Sequence, residues 1–265
     1  NAYQTINAIK RKFPEILVIA GGPHPTSVPD TVMSETLADL VCIGEGEMTL
    51  ADIEDVKRSF ALAAGRAKKA GFDAVQVHGA HGYLINQFLS PATNKRKDGY
   101  GGSDEARMRF LLEVVESVRN AVGKDFPVLV RLTGEEYQEG GYGLDFILRV
   151  SRSLEEAGVV SIDLSGSMAD TPDKPGALPG MDHPVCPLVP YAQAVKKVVG
   201  IAIGAVGRIY KPQLAEQVLQ EGRADLIYLG RSLIADAYWV RKAQEGRQDE
   251  IRHCIACGRC IDELI

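Results

Sequence analysis

The sequence predicts an α/β protein with a parallel sheet, arranged as a (βα)8 barrel of the TIM-barrel type. Short runs of valine, isoleucine and leucine alternate along the chain with segments that carry apolar residues at helical spacing. Runs that are apolar throughout are typical of strands buried in a parallel sheet that helices cover on each side. The chain has seven such runs, one fewer than a closed barrel needs, so an open doubly wound sheet is the alternative.

Each element follows from its own pattern and from the residue that ends it. The amphipathic segments stop at glycines such as Gly71, Gly123 and Gly158, which favour helix ends. We expect helices at residues 3–13, 29–37, 52–70, 107–122, 144–157, 191–199, 211–220 and 238–245. We expect strands at residues 16–20, 40–43, 73–77, 128–132, 159–164, 201–205 and 226–229. The proline-rich stretch 167–190 follows neither period and is predicted to be a long loop, of the kind that carries function or is disordered.

The composition is that of a globular protein and gives no sign of a nucleic-acid or membrane partner. Hydrophobic residues make up 45% and charged residues 25% of the 265 residues, with a net charge of −5 and a pI near 5.6. An acidic chain has no electrostatic reason to bind nucleic acid or an anionic membrane. No apolar run approaches the ~20 residues that span a bilayer, and we expect no leader peptide. Three of the five cysteines lie between residues 254 and 260, which argues against a disulfide framework and favours a cytoplasmic location.

His78, His81 and Tyr83 come directly after the strand predicted at residues 73–77. Enzymes with parallel sheets place their chemistry at the carboxyl ends of the strands. Two imidazoles can hold a carbonyl oxygen by hydrogen bonds, and a nearby phenol can deliver a proton, so this trio suits the reduction of a polarised alkene. Two alternatives stay open: loop histidines beside a packing tyrosine, and a two-histidine metal site without an obvious third ligand.

Three arginines are expected to face an anionic ligand. Arg131 lies inside the apolar strand 128–132, where a charge is costly unless a ligand or a carboxylate pairs with it. The last two predicted strands each end in a glycine followed by an arginine, namely Gly207-Arg208 and Gly230-Arg231. Glycine lets backbone amides approach a phosphate, and two such endings are typical of the phosphate site of a barrel. An ordinary ion pair for Arg131 and a solvated charge for Arg208 are the alternatives.

The stretch from residue 71 to residue 110 resembles the central signature of the old yellow enzyme family of NADH:flavin oxidoreductases. VHGAHGYLINQFLSP and NKRKDGYGG carry the resemblance, which implies a barrel that binds FMN and takes electrons from NAD(P)H. It also implies that His78 and His81 bind the substrate carbonyl over the flavin, while Tyr83 protonates the carbon opposite hydride attack. Arg131 is then expected beside the flavin pyrimidine, with the two glycine–arginine pairs at the FMN phosphate. The remaining matched residues are expected to lock a long loop: Asn94, Arg96, Asp98, Tyr100, Gly101, Gly102 and Arg107.

Cys254, Cys257 and Cys260 are close enough in sequence to bind a metal ion or an iron–sulfur cluster. The segment resembles the cluster motif of the dienoyl-CoA reductase branch of the same family. It departs from that motif, because two residues instead of three separate the second and third cysteines and a fourth cysteine is not found after them. We therefore expect free, oxidation-prone thiols or an incomplete site, and no iron–sulfur cluster.

The first fifty residues resemble a different family. GGPHPTSVP and IGEGE are similar to the flavodoxin-like, cobalamin-binding domain of radical-SAM enzymes. The pattern that some of those proteins use to bind cobalt through histidine is not found, so we expect neither cobalamin nor a cobalt-ligating His24. We interpret residues 1–50 as a flavodoxin-like βα fragment and residues 51–265 as the later part of an FMN barrel, merged into one domain.

The favoured hypothesis is therefore a chimeric FMN barrel that resembles ene-reductases and acts on a small molecule. The three strands that open the family barrel, which contact the isoalloxazine, are not recognised in residues 1–50, so we expect weak FMN binding and reduced or absent activity. Two alternatives stay open: an engineered fold-chimera scaffold without native activity, and a weak binder of phosphate or cobalamin.

Overall fold

The computed structural model describes residues 48–167 and 176–262, together with residues 7, 11, 19–20 and 40–41. The chain divides into two compact units, Asn1–Asp55 and Val56–Ile265, and the origin assigned to residues 1–50 stays a prediction. The predicted helix 29–37, His24 and the motifs GGPHPTSVP and IGEGE lie outside the described residues. The predicted helix 3–13 is described only at residues 7 and 11, which are both helical.

The first unit contains a pair of short parallel strands. β1 (Ile19–Ala20) pairs with β2 (Leu40–Val41), with Ile19 opposite Leu40. Both strands lie inside the predicted strands 16–20 and 40–43, whose other residues are outside the described ranges.

The second unit is built on a five-stranded parallel sheet whose strand order follows the chain. Its strands are β3 (Val75–Gly79), β4 (Val128–Thr133), β5 (Ser161–Ser165), β6 (Ala202–Ala205) and β7 (Leu226–Ile227). Each strand pairs with the next one in sequence, as consecutive βα units do in a barrel. All five predicted strands of this region are confirmed.

Helices connect these strands. They are α1 (Leu50–Lys69), α2 (Leu84–Leu89), α3 (Asp104–Val122), α4 (Leu144–Glu156), α5 (Val189–Lys196), α6 (Pro212–Gln220), α7 (Arg231–Ala235), α8 (Trp239–Gln244) and α9 (Arg259–Asp262), with one 3-10 turn at Gln248–Glu250. The sequence did not predict α2, α7 and α9, because helices of four to six residues are too short to show a helical period. None of the helices in the described ranges is long and apolar enough to cross a membrane.

The bounds of α3 show how local signals position an element. Ser103 accepts a hydrogen bond from the backbone N–H of Ala106 at 3.2 Å, which caps the first turn. Gly123 ends the helix with φ +85°. Phe110 and Val114 are fully buried. The helix predicted at residues 107–122 therefore begins earlier than its apolar period indicates, because the serine cap precedes the first buried residue.

The two faces of the five-stranded sheet differ in polarity. Alternate strand residues are at most 3% exposed and form an apolar layer: Val77, Val130, Leu132, Ile162, Leu164 and Ile203. The strand register places His78 opposite Arg131, Arg131 opposite Asp163 and Asp163 opposite Gly204. Side chains alternate between the faces of a sheet, so these polar groups form a row on its other face.

Candidate active site

The structure brings the predicted trio together where β3 ends. The ring centroids of His78 and His81 lie 5.0 Å apart at an interplanar angle of 75°. The centroids of His78 and Tyr83 lie 5.1 Å apart at 56°. Tyr83 is 60% exposed, whereas both imidazoles are half-buried. The exposed phenol of Tyr83 therefore lies beside the half-buried ring of His78, which in turn contacts the ring of His81.

His81 is fixed by the ends of the two neighbouring strands. Its backbone has φ +59°, a left-handed conformation that costs about 1–3 kcal/mol for a residue other than glycine. Its backbone N–H donates to Thr133 Oγ1 at 3.0 Å, and its Nε2 lies 2.7 Å from Ser165 Oγ. Thr133 and Ser165 are the last residues of β4 and β5. These hydrogen bonds offset the strain and set the direction of the ring.

A buried polar cluster supports the same turn from α2. Asn86 Oδ1 accepts hydrogen bonds from the Gly82 backbone at 2.9 Å and from Thr133 Oγ1 at 3.2 Å. Asn86 Nδ2 donates to Glu136 Oε1 at 3.1 Å, and Ser90 Oγ donates to Glu136 Oε2 at 2.6 Å. Burial raises the pKa of Glu136, and these donors oppose the rise. The turn that carries His81 is thus held in place by a cluster whose members also hydrogen-bond to one another.

The surroundings of both imidazoles favour the neutral form. Burial, followed by repulsion from His78 and Arg131, lowers the pKa of His81 to about 4. Burial and the charge of Arg131 also lower the pKa of His78. A neutral imidazole has one N–H donor and one acceptor nitrogen. The pair can therefore donate hydrogen bonds to a carbonyl oxygen without bringing two positive charges to it.

Arg131 forms an ion pair with Asp163, which is the alternative considered from the sequence. Arg131 Nε donates to Asp163 Oδ2, and the guanidinium lies over the Tyr228 ring, 5.4 Å from its centroid. Burial raises the pKa of Asp163, and the charge of Arg131 opposes the rise. The pair uses one edge of the guanidinium, so the expected contact of Arg131 with flavin stays a prediction that the geometry permits.

A cavity of about 360 Å³ brings the two glycine–arginine pairs together. The phosphate cradle, as we name this group, consists of Gly207, Arg208, Gly230 and Arg231. Arg208 donates to the Met181 carbonyl at 3.1 Å, and Arg231 donates to the Pro179 carbonyl at 2.9 Å. Both arginines thus contact the long loop predicted at residues 167–190, and Arg208 is more than a solvated charge. Tyr228 also lines the cavity, so its ring connects the cradle with Arg131.

The cradle fits a phosphate group. Arg208 Nε is buried and has no hydrogen-bond partner among the residues that the structure describes. A buried donor without an acceptor is costly, and a phosphate oxygen would satisfy it. Gly207 has φ +101°, and a Cβ there would lie 3.0 Å from Leu188 Cδ1. The phosphate of a mononucleotide binds to backbone and side-chain donors that can approach it closely, and glycine allows that approach.

The three cysteines do not converge on one centre. Cys254 and Cys260 line the same cavity, whereas Cys257 is exposed and is not part of its lining. Within the described ranges, no group of three histidine, cysteine, aspartate or glutamate side chains is arranged to hold a metal ion. The thiols are free, and their assignment as a partial cluster motif stays a prediction.

The loop that follows α2 has the contacts expected of a locked segment. Asn94 Nδ2 donates to the Tyr100 carbonyl at 2.7 Å. Arg96 pairs with Asp98, with Nε 3.1 Å from Oδ1. A Cβ at Gly101 would lie 2.4 Å from the Arg96 carbonyl oxygen, so only glycine fits there. These contacts shape the loop, as the resemblance implied.

Several groups that hold the site were not predicted from the sequence. They are Asn86, Thr133, Glu136, Asp163 and Ser165. Two signals point to such residues: a polar residue at the end of an apolar strand, and a charge inside one. Asp163 has the same signal as Arg131, since it lies between Ile162 and Leu164 in a fully buried strand.

Comparisons with known proteins agree with this site. The model of the NADH:flavin oxidoreductase / NADH oxidase family matches residues 10–250. The NADH oxidase of Thermoanaerobacter brockii is 46% identical over 212 residues, which cover 80% of this chain and 32% of the relative. A 2-naphthoyl-CoA reductase superposes with a TM-score of 0.76 at 34% identity, covering 80% of this chain and 32% of that protein. The old yellow enzyme homologue of Zymomonas mobilis superposes with a TM-score of 0.60 at 30% identity, covering 75% and 54%.

These matches confirm the predicted fold class and identify the family. The structural relatives are barrels of the old yellow enzyme type, which agrees with the α/β architecture and the parallel sheet. The chain spans between 32% and 54% of the length of these relatives. The family match begins at residue 10, so it includes most of the segment that resembles a cobalamin-binding domain, and that second resemblance stays a prediction. The chain belongs to the NADH:flavin oxidoreductase / NADH oxidase family, whose members use FMN and NAD(P)H.

Proposed function

We propose that this chain binds FMN and reduces the carbon–carbon double bond of an enone or enoyl thioester, with NAD(P)H as the reductant. The observation that carries the proposal is the position of the His78–His81–Tyr83 trio at the carboxyl end of β3. The last two strands of the same sheet end in the phosphate cradle. The proposed partner is a small molecule, without nucleic acid or membrane, and the free thiols fit a cytoplasmic location.

Each residue of the trio has a role in the proposed reaction that follows from its chemistry. Bound FMN would supply the hydride that adds to the β-carbon of the substrate. His78 and His81, both neutral, donate N–H groups to the carbonyl oxygen and draw electron density from the double bond. The Tyr83 hydroxyl delivers the proton to the other alkene carbon. Its 60% exposure lets solvent replace that proton after each turnover.

The cradle and Arg131 hold the cofactor in this proposal. We expect Arg208 Nε and the amides beside Gly207 and Gly230 to bind the phosphate, and the shared cavity that these residues line supports this. Arg131 lies on the sheet face that also carries His78. A positive charge there favours the negative charge that builds on the pyrimidine of reduced flavin.

We also propose that FMN affinity and turnover are lower than in a full-length relative. The resemblance of residues 1–50 to another domain supports this, because the strands that open the family barrel contribute contacts to the isoalloxazine. A folded chimera without native activity, binding flavin, phosphate or cobalamin weakly, is the second candidate. The division of the chain at residue 55 favours keeping this candidate, since it separates the atypical segment from the five-stranded sheet.

The colour of the purified protein tests the first candidate. A yellow protein that releases free flavin on acid precipitation is the expected result. A colourless protein that stays colourless after incubation with FMN would contradict flavin binding, and a pink preparation would favour cobalamin. The expected lower affinity is measured by titrating the apoprotein with FMN beside a full-length relative, and equal dissociation constants would refute it.

A matched pair of variants tests where the flavin binds. The double substitution Arg208→Ala and Arg231→Ala removes the cationic groups of the cradle, so FMN affinity should fall by at least about 100-fold. The control Arg247→Ala removes an arginine that pairs only with exposed glutamates, and its affinity should match that of the unsubstituted chain. Equal affinity in all three proteins would place the flavin elsewhere.

A further inference from the structure

Asp163 is a carboxylate inside an otherwise apolar strand. It is the central residue of β5, and its exposure is 0%, as is that of Ile162 and Leu164 on either side. A fully buried carboxylate is costly unless it has both a cationic partner and hydrogen-bond donors. The neighbouring strands provide these groups, so the charge of Asp163 is built into the sheet.

Both oxygens of Asp163 are engaged, each by a different strand. Gln76 Nε2 from β3 donates to Oδ1, and Arg131 Nε from β4 donates to Oδ2. The register sets Arg131 directly opposite Asp163. Burial disfavours the charged form of Asp163, whereas Arg131 and Gln76 favour it, so its ionisation depends on these two partners.

The ion pair leaves the outer edge of Arg131 available. Only Nε bonds to Asp163, and the terminal nitrogens have no hydrogen-bond partner among the residues that the structure describes. The side chain is 24% exposed, and the Tyr228 ring covers one side of the guanidinium at 5.4 Å. Asp163 and Tyr228 therefore contact the guanidinium at Nε and on one of its faces, which leaves the terminal N–H groups as a planar fork for a ligand with adjacent acceptors.

We propose that Asp163 is a positioning residue that orients Arg131 and offsets part of its charge at the point where the pyrimidine edge of FMN binds. This role rests on the proposed function. Reduced flavin carries more negative charge at that edge than oxidised flavin, so a nearby cation raises the reduction potential. A buried anion in contact with the same cation lowers it. Asp163 thus keeps the bound flavin a stronger reductant than Arg131 alone would allow.

The reduction potential of the bound flavin tests this role, and it distinguishes it from a contribution to folding alone. Asp163→Asn keeps the size and the hydrogen-bonding capacity of the side chain but removes its charge. We expect the two-electron equilibrium to shift about tenfold toward reduced flavin, a rise of about 30 mV in potential. The affinity for sulfite, which adds to electron-poor flavins and bleaches their absorbance, should rise by about the same factor. Asp225 directly precedes β7 and pairs with Lys196. The control Asp225→Asn removes this carboxylate and should change neither the reduction potential nor the sulfite affinity.

A second background shows whether Asp163 acts through Arg131. In an Arg131→Met protein, Asp163→Asn should produce no further rise in potential, because the buried carboxyl group loses its cationic partner, binds a proton and leaves no charge for the substitution to remove. If Asp163→Asn fails to fold, Gln76→Leu provides the test. Loss of the Gln76 donor favours neutral Asp163, so the reduction potential and the sulfite affinity should both rise, by a smaller factor. An unchanged reduction potential in the variant that folds would overturn the role of Asp163. So would an equal rise in the Arg131→Met background. Neither result would contradict the proposed FMN site. A wild-type chain that binds no FMN overturns the proposed function and this role together.

Discussion

The histidine segment, residues 78–83, and the phosphate cradle both follow strands of one parallel sheet, but they are held in different ways. The histidine segment is fixed by buried side chains from β4, β5 and α2, through Thr133, Ser165 and Asn86. The arginines of the cradle donate instead to backbone carbonyls of an irregular loop. The histidine segment, the proposed carbonyl-binding site, is therefore held by hydrogen bonds within the protein, whereas the cradle has an unsatisfied donor, Arg208 Nε, among the described residues.

This contrast decides what a substitution does in each region. Removing a buried partner of the histidine segment leaves other buried groups without hydrogen bonds, so the free energy of unfolding should fall first. A substitution in the cradle leaves the sheet intact, so it should lower the affinity for the ligand instead. Tyr83 is the exception in the histidine segment, because its exposed side chain can be altered at little structural cost.

The largest expected effect comes from this exposed residue. Tyr83→Phe removes the proton donor, so alkene reduction should slow about 100-fold or more, while reduction of bound FMN by NAD(P)H stays nearly unchanged. Stopped-flow measurement of the two half-reactions separates these rates. Tyr238→Phe is the matched control, because Tyr238 is 64% exposed, and both of its half-reactions should match the wild type. A parallel fall of both half-reactions in Tyr83→Phe would show that Tyr83 positions a ligand instead of donating the proton.

The support of the histidine segment predicts the next effect. Asn86→Ala leaves the Gly82 N–H and Thr133 without one of their partners in a buried region, so the free energy of unfolding should fall by about 2–3 kcal/mol. Urea denaturation followed by circular dichroism measures the loss. Asn120→Ala, at an exposed position of α3, should change the same quantity by less than about 0.5 kcal/mol. A similar small change for Asn86→Ala would mean that the cluster does not hold the turn.

The sequence predicted the members of the histidine segment better than it predicted their supports. His78, His81 and Tyr83 stand together directly after a strand, so a local pattern was enough to select them. Thr133 and Ser165 lie 52 and 84 residues away from His81 in the chain. Their role depends on which strands become neighbours and in which register, and no local pattern contains that information.

The same limit applies to the charged row of the sheet. The sequence showed that Arg131 needed a partner, and Asp163 in SIDLS was an equally unusual charge. Only the register of β4 and β5 makes the two a pair. The strands themselves were predictable because each is a short apolar run, whereas α2 and α7 form through contacts that their few residues do not show as a period.

A smaller effect is expected in the cradle. Gly207→Ala puts a side chain on a backbone with φ +101° and brings Cβ to 3.0 Å from Leu188, so the backbone of the proposed phosphate site must move. FMN affinity should fall about tenfold, as measured by quenching of flavin fluorescence. Gly143→Ala is the matched control, because Gly143 is not part of the cradle, its φ is −109° and no atom lies within 4 Å of a Cβ there. Its FMN affinity should match that of the unsubstituted chain, and an unchanged affinity in Gly207→Ala would show that the backbone at Gly207 does not govern phosphate binding.

The smallest expected effect is a pH dependence that arises in the histidine segment and not in the cradle. Burial lowers the pKa of His81 from 6.5 to about 4, so the unfolded chain binds a proton in this window and the folded chain does not. Stability is therefore complete above pH 6.5 and declines as the pH falls toward 4. Since the ring is only half-buried, solvent screening limits the decline to about 1 kcal/mol. Urea unfolding at about pH 7 and pH 5 measures it, with His81→Asn as the reference that lacks this group. Glu136 and His78 remain in both proteins, so the difference between their pH profiles reports the titration of His81 together with its repulsion from His78. Identical profiles would show that His81 is as free to bind a proton in the folded chain as in the unfolded one, and that the histidine segment is more open to water than its hydrogen bonds indicate.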